Sequence, residues 1–394
     1  MGRRLSDHPS ATFRLPSKGC GVNSLRAGIV APRHCGDLSM RIIYVGDMDP
    51  GGTCLQRLKA LQDLGHEVQA LDYRVLAGRN TVRGLICRIG YKLRRPVDFA
   101  RVNRQIIQCC RTSEADILWI DKGLVVWPQT LAAVRRMRPG MVIAGYSPDD
   151  MGSRHNQSDY FVRGLPLHDI YFTTKSYGVA ELRQLGVPRV EFSANAYDRN
   201  THRPISLNAQ DLQKYGAEVG FVGTYERFRA QSMIYLASNG IPVRIFGDWW
   251  PRLPDAPKML NLVGSAIYAD EYAKAICGAK INLCFLRKLN RDLQTQRSVE
   301  IPACGAFMLA ERTDEHRGLF EEGKEAEFFS SDQELLEKVR YYLDHPKERE
   351  RIAAAGRERC IQSGYSYHDR LRQALAQIFE AGGAKQNPPV PSGV

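Results

Sequence analysis

The sequence predicts an α/β protein of two Rossmann-like domains, and three observations lead there. Residues 41 to 71 read as strand, glycine turn, helix and strand, and a second strand that ends in a glycine turn and opens a helix begins at Glu218. The chain of 394 residues, 43% hydrophobic and 25% charged, suffices for two ordinary globular α/β domains.

Residues 1 to 39 mix Gly, Pro, Ser and Arg without sustained periodicity, which predicts a disordered leader ahead of Met40, itself a second start-like methionine. Arg41 to Val45 is a β-type run. It meets Gly46-Asp-Met-Asp-Pro-Gly-Gly-Thr53, then a helix with Leu55, Leu58, Leu61 and Leu64 on one side, ended by Gly65, and a strand from Glu67 to Leu71. Gly51 and Gly52, with Thr53, allow close backbone approach to a ligand at a helix N-terminus, where free amides attract anions. The same glycines also suit a plain strand-to-helix turn. Their spacing is not G-x-G-x-x-G, yet Asp72 stands about twenty residues later, where a dinucleotide enzyme places its ribose-binding acid. A dinucleotide-dependent oxidoreductase is therefore one alternative reading.

Asp116 to Ile120 and Met141 to Ala144 read as buried strands around a helix from Pro128 to Met137. The second strand runs into Gly145-Tyr-Ser-Pro-Asp149-Asp150-Met-Gly-Ser-Arg154-His155. Ligands of doubly wound sheets bind beyond strand C-termini, which makes Asp150 and His155 candidate catalytic groups. Ser-Pro-Asp-Asp is equally good turn chemistry. A strand from Asp169 to Thr173, a helix from Tyr177 to Leu185 and a strand from Val190 to Ser193 complete this half, and Pro, Ser and Asn residues place a hinge near residues 196 to 212.

The second half opens with Glu218-Val-Gly-Phe-Val-Gly223-Thr-Tyr-Glu-Arg227-Phe-Arg229. Gly223 permits close backbone approach. Arg227 and Arg229 stand at a helix start, where the dipole disfavours a cation unless an anion is bound; an outward-lying arginine is the plain alternative. Val243 to Gly247 is the next strand, followed by Trp249-Trp250, which could stack on a base or sugar or cover a domain edge. Leu260 to Gly264, a helix from Asp270 to Cys277 and the strand Ile281 to Leu286 continue the βα rhythm.

The stretch from Gln294 to Glu311 reads as a short helix with Arg297 and Glu300 on adjacent turns, stopped at Gly305 and followed by a buried strand, Ala306 to Ala310. A carboxylate near a helix start can accept hydrogen bonds from a vicinal diol such as ribose, and an arginine beside it offers a planar fork for phosphate. Together they suggest a nucleotide-diphosphate grip, although a surface ion pair would use the same two residues. Helices are expected over Gln333 to Leu343, Pro346 to Ser363 and Tyr367 to Glu380, with a disordered tail from Gly382.

The wording Arg297-Ser-Val-Glu300-Ile-Pro-Ala-Cys-Gly305-Ala-Phe-Met-Leu resembles the C-terminal domain of glycosyltransferases of the GT-B architecture, in particular the CgeB, or spore-maturation-protein-like, family. Asp344-His-Pro-Lys-Glu-Arg-Glu-Arg-Ile-Ala-Ala-Ala-Gly-Arg and Ser366-Tyr-His-Asp-Arg fit it too. The likeness runs from about Met40 to Phe379, and its C-terminal half is the more specific.

This resemblance implies a GT-B fold: an acceptor domain over residues 40–203, a nucleotide-sugar domain over 204–365, a helix over 366–381 crossing back to the first domain, and the tail 382–394. It implies transfer of a sugar from a nucleotide-diphosphate sugar to an unknown acceptor (glycan, lipid-linked or small molecule), with no metal and no cofactor. Glu300 would bind ribose, Arg297 and Arg227 with Arg229 the diphosphate, and Gly223 and Gly305 would lie against the donor. Asp150 or His155 would contact the acceptor hydroxyl or steady the sugar, since the family carries a similar Asp-Asp there. Many related transferases carry two glutamates eight apart; here the earlier position is Asp292, so the ribose assignment rests on Glu300.

Net charge is +12, and from Arg74 to Arg111 ten Lys or Arg face one acid, Asp98. Such a segment is a solvated helical face, a contact for an anionic membrane surface or a site for an acidic acceptor. Sparse aromatics and the lack of any nucleic-acid motif argue against nucleic acid. A non-enzymatic basic binder of lipid or polyanion is the second alternative. No run approaches the roughly 18 apolar residues of a membrane span, and the N-terminus lacks an apolar signal core. Ten scattered cysteines without a CxxC suit reduced core residues, so a cytoplasmic protein with peripheral contact at the inner membrane face is expected.

Overall fold

The computed structural model describes residues 39–74, 81–250 and 256–386, with side chains described as far as residue 380. Residues 1–38 of the expected leader and residues 387–394 of the expected tail lie outside the described residues.

The first lobe is built on a parallel sheet of six strands: β1 (Arg41–Gly46), β2 (Glu67–Asp72), β3 (Ile117–Asp121), β4 (Val142–Ser147), β5 (Ile170–Thr173) and β6 (Val190–Phe192), in the order β2-β1-β3-β4-β5-β6. The second sheet has β7 (Ala217–Val222), β8 (Val243–Phe246), β9 (Leu260–Leu262), β10 (Ala279–Cys284), β11 (Met308–Glu311) and β12 (Glu327–Phe329), in the order β12-β11-β10-β7-β8-β9. Helices cover both faces of a parallel sheet, so its central strands read as continuous apolar runs rather than alternating ones. Ile117-Leu-Trp-Ile-Asp121 is buried at every position. Read from its edge, the second sheet has the doubly wound order in which direction reverses between β7 and β10, the point where such folds bind ligands.

The first lobe carries α1 (Thr53–Asp63), α2 (Val82–Lys92), α3 (Val102–Thr112), α4 (Pro128–Met137), α5 (Asp159–Gly164) and α6 (Gly178–Gln184). The second carries α7 (Ala209–Tyr215), α8 (Arg227–Ser238), α9 (Ala269–Gly278), α10 (Arg297–Ala303), α11 (Asp314–Leu319), α12 (Asp332–Asp344) and α13 (Pro346–Gln362). A final helix, α14 (Tyr367–Gln386), returns to the first lobe and lies against α1. Its Tyr367, Leu371, Ala374, Leu375 and Ile378 are buried in one cluster with Ile42, Leu58, Leu61 and Phe172. Removing those five side chains from water is worth on the order of 10 kcal/mol as an upper bound, enough to make the helix part of the first lobe's core.

The chain passes between lobes twice, and the passages lie side by side. The Tyr197 N–H donates to the Tyr365 carbonyl at 3.1 Å and the Tyr367 N–H to the Tyr197 carbonyl at 2.9 Å, while Arg199 grips both Asp369 oxygens at 2.8 Å.

Several elements differ from the sequence reading. α7 occupies the end of the expected hinge because Asn208 caps it, its side chain accepting the Asp211 N–H at 2.8 Å. α14 continues to Gln386, through Gly382 and Gly383, where a tail was expected. α11 and β12, of six and three residues, are too short for periodicity to reveal. No helix among the described residues is long and apolar enough to cross a membrane.

Candidate active site

A cleft of about 220 Å³ opens at the carboxyl ends of β7 and β8. Its floor and back wall come from the second lobe, through Val222, Gly223, Phe246, Gly247, Arg297 and Glu300. Gly51, Thr53 and Gln56 line it from the first lobe, and Thr201 and His202 from the connecting segment.

The strand ends are pinned so that backbone forms the wall. Gly223 donates its N–H to the Phe246 carbonyl at 2.8 Å, and its own carbonyl accepts the Trp250 indole at 2.7 Å. Gly247 has φ +150°, and a Cβ there would stand 2.1 Å from the Gly223 oxygen, so only glycine fits. Across the cleft Gly51 lies so close to Tyr268 that a Cβ would meet the ring at 2.2 Å.

Two guanidinium groups crowd this wall. Arg229 is 4% exposed and lies 5.6 Å from the Phe221 ring centroid; Arg297, half-buried, lies 5.8 Å from the same ring. Burial, reinforced by the neighbouring Arg297 charge, pushes the Arg229 pKa down, although Glu226 pairs with it at 3.0 Å. Both side chains keep a buried Nε–H without a partner. Orphaned donors on paired cations are costly in isolation and are satisfied by an anion.

Glu300 faces the same space from the first turn of α10. Its Oε2 accepts the Tyr272 hydroxyl at 2.7 Å, and its Oε1 lies 3.6 Å from the His202 Nε2. Burial raises the Tyr272 pKa far above its ordinary range, so the phenol remains a donor. The Asp198 backbone N–H donates to His202 Nδ1 at 2.9 Å, which leaves the proton of the neutral ring on Nε2, toward Glu300. One carboxylate oxygen is thus held by Tyr272 while the other retains capacity for a ligand hydroxyl.

The structure therefore brings Glu300, Arg297, Gly223, Gly51 and Thr53 together, with Arg229 packed behind Gly223 and outside the cleft lining, and it separates other sequence-predicted groups from them. Arg227, the first residue of α8, is exposed and absent from the cleft lining; Arg229, two positions on, turns inward instead. Gly305 stops α10 at φ +70° and lies near Arg357 and Pro204, outside the cleft. Gly52 closes a turn by donating to the Asp49 carbonyl at 2.8 Å, and does not line the cleft either.

Asp150 is fully buried and committed. Arg291, from the second lobe, donates Nε and Nη2 to its two oxygens at 2.8 and 2.9 Å, and the Ser153 hydroxyl adds a bond at 2.5 Å. Burial works to raise its pKa, but these hydrogen bonds outweigh it and hold the carboxyl below its ordinary value, which suits a structural anion and not a base. His155 is exposed in a short helical turn away from the cleft lining. Asp292 is likewise engaged, in a nearly buried ion pair with Lys175 at 2.6 Å. Asp72 accepts the backbone N–H groups of Met48 at 3.2 Å and Arg74 at 2.8 Å and is not part of the cleft, so the dinucleotide reading loses its ribose acid. Trp250 is buried against Phe221 and Tyr225, and Trp249 does not line the cleft, so neither offers it a stacking face.

Sequence reasoning missed His202 and Tyr272 as site residues. The Asp198-to-His202 spacing, one acid and one histidine in a polar connector, was the available signal for the first; Tyr272 reads only as an ordinary helix position. Among the described residues no three or more His, Cys, Asp or Glu are grouped so as to hold a metal ion.

Residues 229–376 match the family model described as glycosyl transferase-like. No curated protein matches the sequence. Among solved structures the chain is similar to HepE of Anabaena in complex with UDP and glucose, with a TM-score of 0.57 at 13% identity over 87% of this chain and 100% of that one. It is also similar to a glycosyltransferase from Rickettsia africae, with a TM-score of 0.58 at 10% identity over 87% of this chain and 98% of that one. Sucrose-phosphate synthase from Thermosynechococcus elongatus gives a TM-score of 0.56 at 13% identity over 87% and 100%. At such identities the likeness establishes the fold, which is GT-B. Residues 229–376 are thus similar to a glycosyl transferase-like domain, and the two lobes share the GT-B fold of these structures.

Proposed function

We propose that the protein moves a sugar from UDP-sugar, or a close nucleoside-diphosphate relative, to an acceptor that enters from the first lobe, and that it is of the CgeB-like branch. The observation that carries this reading is half-buried Arg297 in one cleft with Glu300, backed by buried Arg229 behind the Gly223 wall, each guanidinium with an orphaned Nε–H donor. Residues 204–365 form the donor domain and residues 40–203 the acceptor domain.

Sugar transfer builds negative charge on the departing diphosphate and positive charge on the sugar ring. Fixed cations aimed at the leaving group stabilise that transition state more than the ground state, so Arg229 and Arg297 supply the main electrostatic contribution and the reading needs no metal. Glu300 takes the ribose diol through its free oxygen. Thr53 and Gln56 are the first-lobe side chains nearest an acceptor in the cleft. HepE binds UDP and glucose in the same fold, which favours uracil as the base. The resemblance of the wording from Arg297 to Leu309 to that family supports the branch assignment.

Titration calorimetry of the full chain with UDP, together with a UDP-release assay on UDP-sugars, tests the proposal. Each arginine makes charge-assisted bonds worth about 1.5–3 kcal/mol, so Arg229→Ala and Arg297→Ala should each weaken UDP binding roughly ten- to a hundredfold. Absence of binding at millimolar nucleoside diphosphate, or saturable binding of a nicotinamide dinucleotide instead, would overturn it.

A further inference from the structure

Within the basic segment, α2 is an amphipathic helix turned inside out. Along α2, at ~100° per residue, Val82, Leu85, Ile86, Ile89 and Leu93 (which follows its last residue) fall within one narrow arc. All five face solvent, from 39% exposure at Ile86 to 76% at Val82. The buried positions of α2 are Gly84 and Gly90, and Gly90 backs so tightly onto the following loop that a Cβ would lie 3.0 Å from the Arg95 carbonyl. Thr81 caps the helix by accepting the Gly84 N–H at 3.1 Å, so it is a built element whose two glycines are its buried positions.

The charge around this arc identifies what covers it. Arg83 borders one side and Arg88 with Lys92 the other, all exposed, and α2 carries no acidic residue. Arg95, Arg101, Arg104 and Arg111, further along the same stretch of sequence, are exposed as well. The one acid in the segment, Asp98, is consumed in capping α3, where it accepts the N–H groups of Val102 and Asn103 at 2.8 and 3.0 Å. Asp159 offsets Arg94 and Arg95 only at the far end of the helix, at 3.4 and 3.3 Å. A second copy of this chain would bring the same positive rim and be repelled. An apolar strip with a cationic border on both sides matches the acyl boundary and headgroups of an anionic bilayer.

We propose that α2 docks the first lobe onto an anionic lipid surface, with Leu85, Ile86 and Ile89 entering the acyl boundary and Arg83, Arg88 and Lys92 meeting the headgroups. The proposal is independent of the donor reading, because no residue of α2 lines the cleft. Flotation of the full chain with vesicles tests it, comparing phosphatidylcholine alone with an equal mixture of phosphatidylcholine and phosphatidylglycerol. The chain should float with the mixture and about tenfold less with the neutral lipid. Leu85→Gln with Ile89→Gln, and separately Arg88→Glu with Lys92→Glu, should each reduce flotation about tenfold while UDP binding stays as in the parent. Failure to float with the anionic vesicles overturns the proposal, as does a Leu85→Gln/Ile89→Gln variant that floats like the parent. A dimer that the same variant abolishes, with no flotation of the parent, assigns the face to a second copy and overturns it too.

Discussion

Glu300→Gln isolates the proposed ribose contact. The amide keeps the side chain's shape, and its oxygen can still accept the Tyr272 hydroxyl that now bonds Oε2 at 2.7 Å, so the pocket should not rearrange. What is lost is the charge on the acceptor. A hydroxyl bonded to a carboxylate contributes about 1.5–3 kcal/mol and to a neutral acceptor about 0.5–1.5, a difference of roughly 1–1.5 kcal/mol per bond. Since Tyr272 occupies one oxygen and His202 stands 3.6 Å from the other, a single strong ligand bond is expected, and UDP binding should weaken about tenfold. Titration calorimetry with UDP and with its dideoxyribose analogue gives the check. The parent should lose about tenfold on going to the analogue, and the variant should lose little more than it already has. Should the variant bind UDP within about twofold of the parent, or should both proteins lose equally to the analogue, Glu300 does not read ribose and the reasoning fails.

Three further outcomes are expected. Arg291→Ala leaves Asp150 buried without its partner, which should cost about 3–5 kcal/mol in urea unfolding; a cost under about 1 kcal/mol would show that the carboxylate finds other support. Burial holds the His168 pKa down to about 4 against an ordinary 6.5. As pH falls the unfolded chain therefore protonates first, so stability is complete above about pH 6.5 and declines by about 3 kcal/mol on approach to pH 4; His168→Gln should flatten that part of the urea-stability profile, and an unchanged slope would refute the assignment. Gly247→Ala should cost several kcal/mol by melting temperature and abolish UDP binding, because its methyl would fall 2.1 Å from the Gly223 oxygen.

The two sheets were legible because their strands are short apolar runs ended by glycine turns, as at Gly46 and Gly223, and because a parallel sheet leaves few polar positions in its strands. Glu300 and Arg297 were legible for a local reason: they share one short helix at a strand mouth. That Asp150 is held by Arg291, 141 residues away, was not legible, because no spacing within a loop reveals that a carboxylate already has a partner. Arg227 and Arg229 differ only in which side of the helix they occupy, and the charge pattern alone could not choose between them. The basic segment shows the same limit. Periodicity announces an apolar arc on α2, but not that this arc faces solvent while the buried positions of the helix are its two glycines.

The paired passages at Tyr197 and Ser366 act as a pivot, and the segment from residue 287 to residue 296 acts as a latch on the opposite lobe. Asn290 receives the Tyr177 hydroxyl on its carbonyl at 2.6 Å, Arg291 holds Asp150 and Glu181, Asp292 holds Lys175, and Gln294 accepts the Asn195 N–H at 3.2 Å. Residue 296 is followed directly by Arg297, so the latch is the tether of the donor helix. Moving the lobes apart would have to break these ion pairs, in the segment that leads directly into Arg297 and Glu300.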